Sequence, residues 1–410
     1  MSSIGSTDGG AALARCTTVA PAAFAAEIWG QRPLLTRAAE LGGTFDDLLD
    51  ATAVDELVSE RGLRTPFLRM AKEGTVLPAA RFTRGGGAGA SVGDQAADDR
   101  VLRAMDDGAT LVLQALHRTW PPLVRFAATL SAELGHPVQI NAYITPPENR
   151  GFAPHYDVHD VFVLQVAGRK HWTIHEPVVP DPLDNQPWEG HRDLVGARAQ
   201  NDAPLIDTVL EPGDALYLPR GTIHAAEALG ETSIHLTVGI HPVTRFQLVR
   251  HLLDAAQDDP ALRTSLPAAV DLGDPAVLGP QLAETIKALH AYLDSVPAER
   301  VARQVASRLM GQTRPAPIGP LAQLAAAAGL TARTPLRLRA GLRWTLREDA
   351  EHVTIVLLDS SIALPVAAAP ALKIVLAGEP FVPGELPGLD DADQLTVSRR
   401  LLREGVVAPA

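Results

Sequence analysis

Three rhythms of apolar and polar positions follow one another along the 410 residues. From residue 22 to 37 apolar side chains (Phe24, Ile28, Trp29) recur at helical spacing and lead into an extended Pro33-Leu34-Leu35. Helical spacing returns at 44–61 and 121–134, separated by a Gly-rich loop at 85–93. Between 138 and 241 the rhythm shortens. Runs of β-branched and aromatic residues are cut by turn signals at Pro146-Pro147, Gly168-Arg169, Pro212-Gly213 and Arg220-Gly221. That pattern predicts an antiparallel meander closed into a small barrel or double sheet. From Phe246 the helical period resumes (Phe246, Leu248, Val249, Leu252, then 282–296 and 300–309). These segments are too short and polar to stand alone, so they should pack on each other or on a second chain. The end of the chain reads as a helix (320–328), strands (336–346, 352–357, 361–365) and a late helix (391–403). Their order suggests a winged helix.

Composition narrows the function classes. The length suffices for two or three domains with their own cores. A formal charge of -12 argues against general nucleic-acid affinity and suits a basic peptide or protein partner. Cys16 is the single cysteine, so no internal disulfide forms and a reducing compartment is expected. The first twenty residues lack a basic segment followed by an apolar one, and no later run is apolar enough to span a bilayer. A cytoplasmic protein is the expectation.

The candidate chemistry sits in the β-rich segment. Eight of the thirteen histidines fall between His155 and His241. His155-Tyr156-Asp157 places two ligand types two residues apart, on one face of a strand. Sixty-nine residues after His155, His224 follows a Pro212-Gly213 turn, a short strand and a Pro219-Arg220-Gly221 reversal that presents it from across the barrel. Two imidazoles and a carboxylate are the donor set that holds non-haem Fe(II) and leaves positions open for cosubstrate and oxygen. His159 could share the face of His155 and Asp157 in a zinc-type site; a position past the strand end, near the entrance, is the preferred expectation. His171, His175, His191 and His235 are read as structural or surface residues.

Lys170 follows the hairpin turn Ala167-Gly168-Arg169 and shares a strand face with Trp172 and Ile174. An inward lysine among such neighbours is costly without a compensating anion. The distal carboxylate of 2-oxoglutarate is a fitting one. Tyr143, on the preceding strand with Asn141 and Thr145, could add a hydroxyl to the same carboxylate.

These residues resemble the JmjC-type ribosomal oxygenases, a branch of the cupin superfamily that includes histidyl and arginyl hydroxylases. The resemblance runs through Asn141-Ala-Tyr-Ile-Thr-Pro-Pro, Gly151-Phe-Ala-Pro-His-Tyr-Asp-Val-His-Asp and the following strand to Trp172. It continues in Pro212-Gly-Asp-Ala-Leu-Tyr-Leu-Pro-Arg-Gly, His224 and Ser233-Ile-His-Leu-Thr-Val-Gly. It implies an α+β chain: a flexible tail (1–20), a double-stranded β-helix catalytic domain (21–245), a helical dimerisation region (246–315) and a winged-helix-like domain (316–410). It further implies Fe(II) at His155, Asp157 and His224, with 2-oxoglutarate anchored by Lys170, Tyr143 and Thr145 and O2 as co-reactant. The implied partners are a second copy of the chain and a protein target, typically ribosomal. Asn141 and Tyr143, with Phe152 and Tyr156, are candidates for the substrate entrance. Where the animal histidyl hydroxylases carry a serine, Gly239 stands here, which leaves histidine specificity open.

Other readings remain. Bacterial relatives are diverse, so a peptide natural-product precursor is an alternative target, and histone demethylation is a weaker one. A non-redox cupin has no need of Lys170. A ligand-sensing cupin regulator with a DNA-binding winged helix belongs to a different class. Residues 321–410 disfavour it, with nine Lys/Arg against ten Asp/Glu and acids at 390, 391 and 393 opening the late helix.

Overall fold

The computed structural model describes residues 11–72, 74–89, 91–147 and 153–410. Among them, 11–242 form one compact unit and 243–410 another. Phe152 and the first half of the expected tail lie outside the described residues.

Two antiparallel sheets carry the first unit. The larger contains β1 (Leu34–Thr36), β2 (Leu68–Lys72), β3 (Thr75–Val76), β4 (Thr110–Leu113), β5 (Val138–Thr145), β6 (Asp160–Ala167), β9 (Ala215–Leu218) and β11 (Ser233–Ile240). The smaller contains β7 (Lys170–His175), β8 (Ile206–Leu210) and β10 (Ile223–Ala228). Strand order is β1-β9-β6-β11-β5-β4-β2-β3 in one and β8-β7-β10 in the other. From β6 to β11 the chain passes repeatedly between the sheets, which winds it into a double-stranded β-helix of the cupin type.

β6 shows why this sequence makes a central strand. Its run from Val161 to Val166 is apolar on both faces, apart from Gln165, as a strand covered on both sides requires. Phe162, Leu164 and Val166 join the core formed with the surrounding helices. Val161 and Val163 point the other way, to Trp172, Ile174, Leu210, Leu216 and Leu218 between the sheets. The helices on the outer face include α1 (Ala11–Ala14), α2 (Ala51–Ser59), α3 (Asp98–Asp106) and α4 (Pro121–Leu134).

Several boundaries differ from those expected. Residues 11–20 are no loose tail: Leu13 and Cys16 are buried, and the Leu13 amide donates to Glu133 of α4 at 2.7 Å. Their apolar spacing is hidden in an Ala-rich stretch. Within 22–37, expected as a helix and then a strand, the strand forms at Leu34–Thr36 but the helix shrinks to Pro21–Ala23 and a wide turn at Phe24–Ile28. There Phe24 packs on Phe162 (ring centroids 5.8 Å) and on the edge of Tyr217 (5.1 Å). α2 starts late, at Ala51, where Asp50 caps it by accepting from the Ala53 amide at 2.7 Å.

The second unit holds α5 (Arg245–Ala256), α6 (Pro275–Ser295), α7 (Ala298–Gln312) and α8 (Pro320–Ala328), then α9 (Ala369–Leu376) and α10 (Asp391–Arg403). Its strands are β12 (Leu336–Leu338), β13 (Thr345–Glu348), β14 (His352–Val356), β15 (Ser361–Pro365) and β16 (Val407–Pro409). β13, β14 and β15 form one antiparallel ribbon, and β12 pairs with β16. The strand expected over 336–346 is therefore broken, by a turn with Gly341 at φ +68°. α9 was not anticipated; its Ala371, Leu372 and Val375 are fully buried in the core of this unit.

The β6–β7 hairpin sets the direction of Lys170. Gly168 sits at φ +60°, and a Cβ there would lie 2.2 Å from the Thr232 carbonyl oxygen. Gly168→Ala is therefore expected to cost about 2–3 kcal/mol, from backbone strain plus the displaced neighbour. Denaturant unfolding of the purified variant measures it; an unchanged midpoint contradicts the close approach.

Candidate functional site

Alternation on the central strands turns a row of polar side chains into the space between the two sheets. On β5, Ile140, Ala142 and Ile144 enter the helix-side core, so Gln139, Asn141, Tyr143 and Thr145 face the space between the sheets. The register of β11 places Gly239, Thr237, His235 and Ser233 opposite them in that order. Lys170, Trp172 and Ile174 face the same space from β7.

At one end stand His155, Asp157 and His224. Their ligand atoms all lie within 4.8 Å of one another, the one such cluster of three among the described residues. His155 and His224 form an isolated antiparallel bridge, with amide-to-carbonyl bonds of 3.1 and 2.8 Å. The reversal that delivers His224 is pinned twice. The Arg220 amide donates to the Asp160 carboxylate at 2.8 Å, and the Gly221 amide donates to the Asp157 carbonyl at 2.9 Å.

Both imidazoles are set up as ligands. His155 Nδ1 lies 2.8 Å from the Ala153 carbonyl and His224 Nδ1 lies 3.0 Å from that of Thr222. A carbonyl only accepts, so each Nδ1 carries the proton and each Nε2 offers its lone pair. Burial lowers the His224 pKa to about 4, keeping the ring neutral at physiological pH. Burial pushes the Asp157 carboxyl up, but the imidazoles of His159, His224, His155 and His241 outweigh it and hold the pKa below its ordinary value. A neutral His224 ring and an ionised Asp157 suit a divalent cation.

At the other end lies Lys170, 3% exposed. Its Nζ donates to Thr145 Oγ1 at 3.1 Å, and no carboxylate pairs with it among the described residues. Burial lowers its pKa to about 7. Between Lys170 and the triad stand Trp172, His235 and Tyr143. The His235 ring stacks on Tyr143 (5.0 Å, 3°) and meets Trp172 edge-on (5.5 Å, 84°). Trp172 Nε1 and His235 Nδ1 are buried and make no hydrogen bond among the described residues. Burial also lowers the His235 pKa well below its ordinary value. Arg69 on β2 lies close enough to Tyr143 for its charge to act on the phenol.

The sequence-predicted residues thus divide. His155, Asp157 and His224 come together at one end, and Lys170, Thr145 and Tyr143 line the cavity behind them. Asn141 uses its Oδ1 to accept from the Ala115 amide at 3.0 Å, where the backbone is left-handed (φ 55°). Tyr156 is no entrance residue: it is 1% exposed, and its hydroxyl donates to the Gln186 carbonyl at 2.9 Å. His159 does not join the triad; it lies beside Gln139 and stacks on His241. His235, read as structural or surface, faces the cavity. Alternation on β11 opposite Tyr143 was the signal for it.

Comparison with known proteins now bears on this geometry. The family model for the JmjC domain matches residues 116–248, the segment carrying the triad, Lys170 and Tyr143. Over these residues the chain is similar to JmjC domains. Around that domain it resembles ribosomal oxygenase 1 of Homo sapiens, 44% identical over 121 residues that cover 28% of this chain and 18% of the human protein. Ribosomal oxygenase 1 of Gallus gallus is 31% identical over 259 residues, covering 61% of this chain and 41% of that protein. The Drosophila erecta protein named bifunctional lysine-specific demethylase and histidyl-hydroxylase NO66 is 40% identical over 139 residues, covering 32% and 20%. The chain thus spans well under half the length of these curated relatives. The crystal structure of Escherichia coli ribosomal oxygenase YcfD superposes with a TM-score of 0.54 at 18% identity, covering 96% of this chain and 98% of that one. That likeness establishes a shared fold.

An ammonium buried with no acid partner among the described residues penalises the fold. Lys170→Met is expected to stabilise the ligand-free protein at pH 6, by about 1–4 kcal/mol. The gain should shrink above pH 7, because folded Lys170 loses its proton near 7 while an unfolded lysine keeps it to 10.5. Denaturant midpoints across pH measure this; an equal or lower midpoint for the variant at pH 6 contradicts it.

Proposed function

We propose that this chain is a 2-oxoglutarate-dependent oxygenase that hydroxylates a histidine or arginine side chain of a protein, with a ribosomal protein as its target. One observation carries the reading: a buried lysine with no acid partner among the described residues faces the same space as two imidazoles and a carboxylate. The donor set suits Fe(II), held by Nε2 of His155, Nε2 of His224 and the Asp157 carboxylate. Iron with 2-oxoglutarate supplies the activation of O2 needed to attack an unactivated C–H bond. The cosubstrate fits the polar side chains at the Lys170 end. Lys170, Thr145 and Tyr143 hold its distal carboxylate, and the unpartnered Trp172 Nε1 lies along the way to the triad. Val161, Val163 and Ile174 keep the surroundings dry, which strengthens each polar contact.

The relatives support the same chemistry. YcfD has been solved in complex with cobalt and 2-oxoglutarate and with cobalt and succinic acid, and the curated relatives are named ribosomal oxygenases. In purified protein given Fe(II) and ascorbate, 2-oxoglutarate turnover should depend on added ribosomal protein. Asp157→Ala should abolish Mn(II) binding. Lys170→Ala should weaken 2-oxoglutarate binding to the Mn(II) form about 100-fold, the cost of stripping a buried charge of its partner. Unchanged binding in Lys170→Ala overturns the cosubstrate assignment.

The second unit supports a homodimer. On α5, Phe246, Val249 and Leu253 are exposed at 51%, 46% and 48%, and Leu278, Leu282 and Ile286 of α6 repeat at four-residue spacing. Each set forms one helix face, and apolar faces of this kind mark a contact surface. The module over 316–410 is read as a winged helix that docks or stiffens. Asp390 caps α10 by accepting from the Asp393 amide at 2.8 Å, and acids at that end repel phosphate. Sedimentation should give twice the monomer mass for the full chain, and Phe246→Glu combined with Leu282→Glu should give the monomer. A monomeric wild type refutes the dimer.

A further inference from the structure

His159 and Gly239 share a site that the proposed chemistry leaves unused. A Cβ on Gly239 would lie 2.5 Å from Cδ2 and 2.6 Å from Nε2 of His159, so the missing side chain is the space the imidazole fills. The same ring stacks on His241 (4.9 Å, 7°) and lies with Nε2 3.3 Å from Nε2 of Gln139. An amide nitrogen only donates, so His159 Nε2 accepts and its Nδ1–H remains to be offered. Three elements thus fix one half-buried ring.

Its place along the cavity gives it a task. Gly239 pairs with Gln139, and Ser233 with Thr145, at opposite ends of β5 and β11. Six residues of strand, about 20 Å, separate Gln139 from Thr145 and the lysine it holds. Asp157 lies between, within electrostatic reach of both Tyr143 and His159. The Lys170 end belongs to the cosubstrate; the His159 end is where a target side chain meets the metal ligands.

We propose that His159, seated in the gap left by Gly239 and braced by His241 and Gln139, is the specificity-determining wall of the target pocket. It receives a flat, nitrogen-bearing side chain against its ring. This rests on the functional reading above. A larger residue at 239 and an imidazole at 159 exclude each other, so the pair acts as one determinant of which side chain fits.

The test uses the full chain with Fe(II), ascorbate, 2-oxoglutarate and proteins extracted from purified bacterial ribosomes, read by mass spectrometry for one added oxygen. His159→Ala should raise KM for the modified protein by about tenfold or more, the scale of a lost pocket contact, or move the oxygen to another residue type. Binding of 2-oxoglutarate to the Mn(II) form should stay within about twofold of wild type, a separation that general loosening of the barrel does not give. Gly239→Ser should act likewise by evicting the ring. An unchanged modification pattern and KM in His159→Ala, or equal losses in cosubstrate and target binding, overturns this inference alone. A wild type that adds no oxygen to any protein overturns the functional reading, and this inference with it.

Discussion

A single ammonium group organises the interior of the barrel. Lys170 is buried to 3% exposure and, among the described residues, has one hydroxyl as its hydrogen-bond partner, a state that costs free energy until an anion arrives. Much of the surrounding structure serves to keep it there. The Gly168 turn aims β7 inward, Thr145 takes one of its three donors, and Trp172 and Ile174 exclude the water that would otherwise solvate it. A cavity that is unfavourable when empty and complementary to a dicarboxylate when filled favours the bound state. Affinity then comes from relieving a penalty already present, and less of it depends on forming new contacts.

The triad obeys the opposite rule, because its members are comfortable without a ligand. Each imidazole spends its Nδ1 proton on a backbone carbonyl two residues away, and Asp157 is kept ionised by the rings around it. The bridge between His155 and His224 ties a loop before β6 to the first turn of β10, so the donors converge through backbone pairing. One end of the cavity is thus prearranged for a cation, and the other is unsatisfied without an anion.

Much of this was legible in the sequence, for identifiable reasons. The period of two on the strands reports which side chains face inward, and it places Tyr143, Thr145 and Lys170 around one space. His155 and Asp157, expected on one strand face, instead lie in the loop before β6, where pairing with His224 holds His155. Turn chemistry at Pro219-Arg220-Gly221 anticipated the delivery of His224. What escaped depended on register between strands far apart in sequence. His235 counts as a cavity residue only because it pairs with Tyr143, and His159 finds its role only because Gly239 lies under it. Tyr156 misled because its neighbours in sequence meet His224, yet in the loop before β6 its own side chain packs with Val195 and Ile223. Alanine-rich helices were the other blind spot, since small side chains give α1 and α9 weak apolar contrast although both are packed into cores.

The central claim, that a half-titrated buried lysine waits for the cosubstrate, can be tested through protons alone. Calorimetric titration of 2-oxoglutarate into the Mn(II)-loaded protein at pH 8, repeated in buffers of different ionisation enthalpy, counts the protons exchanged. Lys170, with a pKa of about 7 in the empty cavity, should be mostly neutral there and should take up about one proton as the carboxylate binds. Binding with no proton uptake at pH 8 would show that the ammonium is not what receives the cosubstrate.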